Sequence, residues 1–105
     1  MWQVKTHPNV DKFIKSLDPA ALGKIIGVID LLKEYGYLLR EPHSKKLVGH
    51  TNLFELRSSG NSPVRLFYTI YKNRYYIIHG FIKKTNKTPQ REINLAMGKI
   101  KELTV

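Results

Sequence analysis

Three segments in the second half of the chain carry the residues best suited to chemistry. Leu-Phe-Glu-Leu-Arg-Ser occupies 53–58, Val-Arg-Leu-Phe-Tyr-Thr-Ile-Tyr occupies 64–71, and Tyr-Tyr-Ile-Ile-His-Gly-Phe-Ile occupies 75–82. β-branched and aromatic residues dominate each, and short turn-like connections join them, so they read as an antiparallel meander. Side chains alternate between the faces of a strand. Leu53, Glu55 and Arg57 then share a face, as do Arg65, Phe67, Thr69 and Tyr71, and as do Tyr75, Ile77, His79, Phe81 and Lys83. If these faces coincide, Arg57, Arg65 and His79 converge beside Lys83 and Lys84. Two arginines on paired strands repel, and an anion between them removes the repulsion. Guanidinium forks grip phosphate oxygens in pairs, so the arrangement suits a phosphodiester.

Plainer readings stand beside this one. Arg57 could pair with Glu55 or Glu92 as a surface ion pair. His79 could be a packed, hydrogen-bonded histidine, Gly80 could mark a bulge or a close backbone approach, and Lys83, Lys84 and Lys87 could belong to a solvated loop.

Other chemistries fit poorly. His7, His43, His50 and His79 show no metal-ligand spacing, and there is no cysteine to form a disulfide, a thiolate site or a nucleophile. No phosphate-binding glycine loop is present. From Arg57 to Arg91 the chain has eight basic residues and no Asp or Glu, which disfavours both a carboxylate pair and a two-metal nuclease site. A nuclease built here is expected to use no metal and no cofactor. Its nucleophile would be the 2′-hydroxyl of RNA, with Lys or Arg stabilising the phosphorane and Lys, His or Glu moving protons.

The remaining sequence must hold these strands in place. Residues 2–6 read as a short strand and 8–17 as a helix, with Pro8 at its first position and Val10, Phe13, Ile14 and Leu17 at helical spacing. Asp18 suits an N-cap before Pro19, and the stripe of the second helix is Leu22, Ile25, Ile26, Ile29 and Leu32, ending near Gly36. The two helices are expected to form a hairpin that covers the sheet on one side. Residues 38–52 read as irregular, Lys72–Arg74 as a tight turn, and 83–87 as a basic loop. Thr88 and Pro89 open a last helix with the stripe Ile93, Met97 and Ile100. The expected fold class is α+β, in the order β-α-α-β-β-β-α, with a small antiparallel sheet. It forms one domain over 1–105, since 105 residues leave no room for two.

Charge points to the partner. Eighteen Lys and Arg against eight Asp and Glu give +10 and an isoelectric point near 10.0. A polyanion is the natural complement: nucleic acid, an anionic surface or an acidic protein. No apolar run approaches the roughly 20 residues of a membrane span. The first residues lack the apolar stretch of a secretion signal, so the expected location is the cytoplasm.

Several ordered motifs sharpen these expectations. Asn52-Leu-Phe-Glu-Leu-Arg57, Val-Arg-Leu-Phe-Tyr68, Ile-Ile-His-Gly-Phe-Ile-Lys-Lys-Thr85 and Lys-Thr-Pro-Gln-Arg-Glu-Ile93 together resemble the phage-derived branch of the HigB toxins, within the RelE superfamily. The match spans about residues 50–97. The resemblance implies the toxin of a type II toxin–antitoxin system. Such a toxin cleaves mRNA on the ribosome and is neutralised by a cognate helix-turn-helix antitoxin. It implies that Arg57 and Arg65 hold and polarise the scissile phosphate, that Lys83 and Lys84 contact the phosphate or leaving group, and that Lys45 and Lys46 lie where relatives carry further basic or His residues. With Lys87 and Arg91 of the acid-free basic stretch, Lys45 and Lys46 are the expected RNA-binding residues. Relatives of the RelE type carry a lysine on the strand of Arg57, where this chain has Glu55. They also use a C-terminal tyrosine, and none follows Tyr76 here. The general base therefore stays open among His79, Glu55 and a lysine. A non-enzymatic basic module that binds RNA or an acidic protein, or a degenerate toxin kept as an antitoxin partner, is the competing reading.

Overall fold

Capping chemistry sets the helix starts. The Asp18 carboxylate accepts a hydrogen bond from the Ala21 amide at 2.9 Å, and Pro19 opens α2 (Pro19–Tyr35). His7 plays the same part for α1 (Pro8–Lys15), its Nδ1 accepting from the Asn9 amide at 3.2 Å. α2 stops at Gly36, whose φ of +55° suits glycine, and a Cβ there would come within 2.5 Å of the Trp2 ring. The computed structural model describes residues 1–103. Its remaining elements are β1 (Val4–Thr6), a 3-10 turn (Gly36–Leu38), β2 (Ser44–Lys46), β3 (Phe54–Arg57), β4 (Val64–Tyr71), β5 (Arg74–Ile82) and α3 (Gln90–Leu103).

This is the expected α+β order with one strand added. Residues 38–52, expected to be irregular, contain β2, which pairs antiparallel with β3 in the register Ser44↔Leu56, Lys45↔Glu55 and Lys46↔Phe54. Three residues are too few for a periodic pattern to register in sequence. The strand is held from below, where the Ser44 hydroxyl and the Tyr68 hydroxyl share a hydrogen bond of 2.8 Å. The sheet order is β1-β5-β4-β3-β2, with β1 parallel to β5 and the other pairs antiparallel. The turn between β4 and β5 takes two residues rather than three. Lys72 and Asn73 have φ of 50° and 63°, the backbone of a tight hairpin turn that matches strand twist, and Arg74 already belongs to β5.

A register shift beside Phe67 and Tyr68 corrects the expected alternation. Phe67 pairs with His79 and Tyr68 with Ile77, leaving Ile78 without a partner across the strand. Such a bulge changes which face the following residues take. Tyr75 and Ile77 therefore pack with Val10, Ile25 and Leu32 under α1 and α2, whereas Ile78 and Phe81 pack with Ala96 of α3. The five residues from Tyr75 to Lys83 do not share one face.

The helices are also not confined to one side. α3 covers part of the second face, where Leu53, Phe67, Ile78, Phe81 and Ala96 form a smaller core. The stripe of α2 is rotated from its expected position. Ala21 and Val28 are buried, while Ile26 is 44% exposed.

Gly80 marks a close approach rather than the bulge, since it pairs in register with Leu66. A Cβ there would lie 2.6 Å from both Leu66 Cδ2 and Phe13 Cδ2. Both neighbours are packed, so Gly80→Ala should overpack the layer between β5 and α1, at a cost of about 1–3 kcal/mol. Urea denaturation checks this, and a variant within ~0.5 kcal/mol of wild type would contradict the packing account.

Candidate active site

β3 and β4 place Arg57 directly opposite Arg65. The anion between them is supplied by the chain itself. Glu55, one pleat back on β3 and 1% exposed, accepts a hydrogen bond from Arg57 Nε at 2.9 Å through Oε1. Arg65 Nε stands 3.5 Å from the same oxygen. That is an ion-pair distance without hydrogen-bond geometry, so this buried nitrogen has no hydrogen-bond partner among the described residues. The other carboxylate oxygen accepts from the Thr88 hydroxyl at 3.0 Å, which ties the start of α3 to the cluster. Arg65 Nη1 donates to the backbone carbonyls of Ser58 (2.9 Å) and Val64 (3.1 Å), which fixes the guanidinium plane.

Glu55 neutralises one arginine charge but not two. Arg57 keeps 26% of its side-chain surface and Arg65 14%, and both line a hollow of about 450 Å³ together with Lys24, His43 and Ser59. Arg65 also lines a shallower hollow of about 350 Å³ with Lys83, Lys84, Thr85 and Asn86. Lys83 is fixed there by its amide, which donates to the Pro63 carbonyl at 2.8 Å. Burial first, then repulsion by Arg65, holds the Lys83 ammonium below the usual lysine value. Glu55 opposes this, and Arg57 and Lys45 add to it. Burial likewise lowers Arg65, against the attraction of Glu55. The cluster thus combines crowded cations, open hollows and one lysine whose charged form is disfavoured by burial and by its cationic neighbours.

The other predicted residues separate into groups. Lys45 lies opposite Glu55 on the edge strand, exposed, and close enough to repel Lys83. Lys46 is exposed on the other face of the same strand, Lys87 is exposed in the loop before α3, and Arg91 is exposed in the first turn of α3. Sequence reasoning overlooked His43 as a site residue. Its carbonyl accepts the Arg57 amide at 2.9 Å, and it lines the same hollow as both arginines. The signal was the His-Ser-Lys-Lys run just before the strands. Among the described residues, no group of three His, Asp or Glu is placed to hold a metal ion, and no helix is long and apolar enough to cross a membrane.

His79 is engaged elsewhere. It lies on the arginines' face of the sheet, opposite Phe67, but α3 covers it there, and Nε2 bonds Glu92 at 2.7 Å while Nδ1 meets Lys99 Nζ at 3.1 Å. Lys99 can only donate, so Nδ1 accepts and Nε2–H points at the carboxylate. The ring is 8% exposed and both of its nitrogens are engaged. Burial, aided by Lys99, lowers its pKa from 6.5, against the pull of Glu92. The folded ring resists the proton, so the unfolded chain binds it first as pH falls. Stability should therefore decline on acidification from about pH 6.5. Denaturation midpoints across pH 7 to 5 should fall less for His79→Gln than for wild type, and parallel slopes would contradict this linkage.

A family model described as "Phage derived protein Gp49-like (DUF891)" matches residues 12–101. The crystal structure of an archaeal RelE–RelB complex from Pyrococcus horikoshii OT3 contains a chain of similar fold. It has a TM-score of 0.58 and 26% identity, and the match covers 83% of this chain and 98% of that one. No curated protein sequence matches.

Proposed function

Since the chain belongs to the phage-derived Gp49-like family, we propose that it is the toxin of a type II toxin–antitoxin pair, of the HigB-type branch. In this reading it acts as an endoribonuclease that cuts mRNA on the ribosome. The observation that carries the reading is the Arg57–Arg65 pair, held by a single buried carboxylate and open to two hollows lined with further cations. The likeness to a chain of a RelE–RelB complex supports a protein antitoxin, and the motif resemblance favours one of the helix-turn-helix class.

The chemistry follows from the placement. The terminal nitrogens of Arg57 and the free edge of Arg65 hold the non-bridging oxygens of the scissile phosphate and stabilise the charge that develops on them. The 2′-hydroxyl attacks the adjacent phosphorus and the bond to the 5′-oxygen breaks, giving a 2′,3′-cyclic phosphate and a 5′-hydroxyl. Lys83, whose ammonium is already crowded by Arg65, passes a proton to the departing oxygen, and Lys84 adds phosphate contact from the same loop. His43 takes the proton of the 2′-hydroxyl, because Glu55 is enclosed by Arg57, Arg65 and Thr88 and His79 is bound by Glu92 and Lys99. Glu55 is then a positioning residue, which fixes the two guanidinium groups at one spacing.

Inducing the chain alone in a bacterium, with primer extension on a translated reporter mRNA, tests this. Growth arrest with cuts phased to codons is the expected result. Folded, soluble protein that produces neither would favour the non-enzymatic binding module.

A further inference from the structure

A separate cavity of about 470 Å³ opens on the other side of edge strand β2, on the sheet face covered by α1 and α2. Aromatic rings build it. Phe54 stacks on Tyr68 with centroids 5.1 Å apart and 17° between planes, and the Tyr68 hydroxyl is held by Ser44. Tyr37 stands at the rim, 61% exposed, touched at 5.4 Å in an edge-on contact by Trp2. Arg40, Lys45 and Lys46 are exposed cations beside it, against one carboxylate, Glu41.

An accessible ring flanked by cations complements a flat, electron-rich group attached to a phosphate chain. Lys45 links this cavity to the arginine cluster. It lines the cavity, yet its backbone pairs with Glu55 and its charge acts on Lys83. Only one strand spacing, roughly 5 Å, lies between β2 and β3. A polyanion held at Arg57 and Arg65 therefore has Lys83 and Lys45 within electrostatic reach, and Lys45 shares the lining of the aromatic cavity with Lys46 and Arg40.

We propose that this aromatic cavity receives a nucleobase of the RNA strand, flanking the phosphate held by Arg57 and Arg65. The proposal rests on the RNA-cleaving reading and adds a subsite to it. An acidic peptide could satisfy the cations but leaves the exposed face of Tyr37 without a stacking partner, so the base is the better fit.

The test uses a short, fluorescently labelled 2′-O-methyl oligoribonucleotide, which cannot be cut, and an abasic oligomer of the same length. Binding is read by anisotropy and by the emission of Trp2, the one tryptophan of the chain. Tyr37→Ala should weaken the oligonucleotide roughly tenfold, the scale of one lost base stack, and leave the abasic oligomer unchanged. Lys46→Glu should weaken both. The oligonucleotide, but not the abasic oligomer, should change Trp2 emission in the wild type. Equal binding of the oligonucleotide by wild type and a folded Tyr37→Ala variant overturns the base subsite. Loss of antitoxin binding alone in that variant overturns it in favour of a protein dock. Arg65→Ala separates the two layers of the argument. If it weakens both probes, the phosphate reading stands even where the base subsite fails, and if it weakens neither, the RNA reading itself fails.

Discussion

Arg65→Ala should abolish growth arrest and reduce mRNA cleavage by about 10²–10³-fold, the scale of one preorganised donor lost from a developing oxyanion. The protein should remain folded. Arg65 sits at 14% exposure and its Nη1 is fixed by the carbonyls of Ser58 and Val64, so its orientation is set before any ligand arrives. Its removal takes one donor from the Ser58 carbonyl, leaves the Val64 carbonyl bonded to the Ser58 amide, and frees Glu55 to pair with Arg57 alone, which is a tolerable loss. Arg65→Lys should rescue little, because an ammonium cannot both hold those carbonyls and present a second donor to phosphate. Circular dichroism establishes the fold of each variant, and toxin induction reads the activity. Full toxicity in a folded Arg65→Ala variant would remove Arg65 from the site.

Glu55→Gln should produce the largest loss of stability. Removing one partner of a buried ion pair costs roughly 3–5 kcal/mol. The lower end applies here, because Arg57 keeps 26% of its surface in water and can rehydrate. Two arginines directly across β3 and β4 would then face each other with no anion between them. The same change should raise their appetite for one. Inorganic phosphate should raise the denaturation midpoint of Glu55→Gln more than that of wild type, as expected for a ligand that binds only the folded state. A variant as stable as wild type, or one indifferent to phosphate, would mean that Glu55 does not hold the arginine pair together.

Much of this arrangement was legible in the sequence. Pro8, Asp18 and Pro19 announced both helix starts through cap chemistry that acts over three or four residues. Alternation on 53–58 and 64–71 placed Glu55, Arg57 and Arg65 on one face, and the register agrees. What sequence could not supply was tertiary in origin. Alternation put His79 on the arginines' face, and the register agrees, but α3 closes over it there through Glu92 and Lys99. The bulge instead sent Tyr75 and Ile77 to the other face, and no local pattern encodes a bulge. A pairing of Arg57 with Glu55 was one of the plainer readings, but the sequence did not reveal that the same carboxylate is buried and also reaches Arg65. Its partnership with both depends on the β3–β4 register. β2 and His43 escaped because a three-residue strand has no period, and the Ser44–Tyr68 hydrogen bond that anchors it below the sheet joins residues 24 positions apart. The aromatic cavity was likewise invisible, since Tyr37, Phe54, Tyr68 and Tyr75 meet only when the sheet and the end of α2 come together.

The most direct test of the proposed reaction examines the ends it leaves. A reporter mRNA cut in the presence of the induced toxin should give upstream fragments ending in a 2′,3′-cyclic phosphate and downstream fragments beginning with a 5′-hydroxyl. A single 2′-deoxynucleotide placed 5′ of the scissile bond should abolish cutting there. Upstream fragments ending in a free 3′-hydroxyl, or undiminished cutting at the deoxy position, would contradict attack by the 2′-hydroxyl and with it the roles given to Arg57, Arg65, Lys83 and His43.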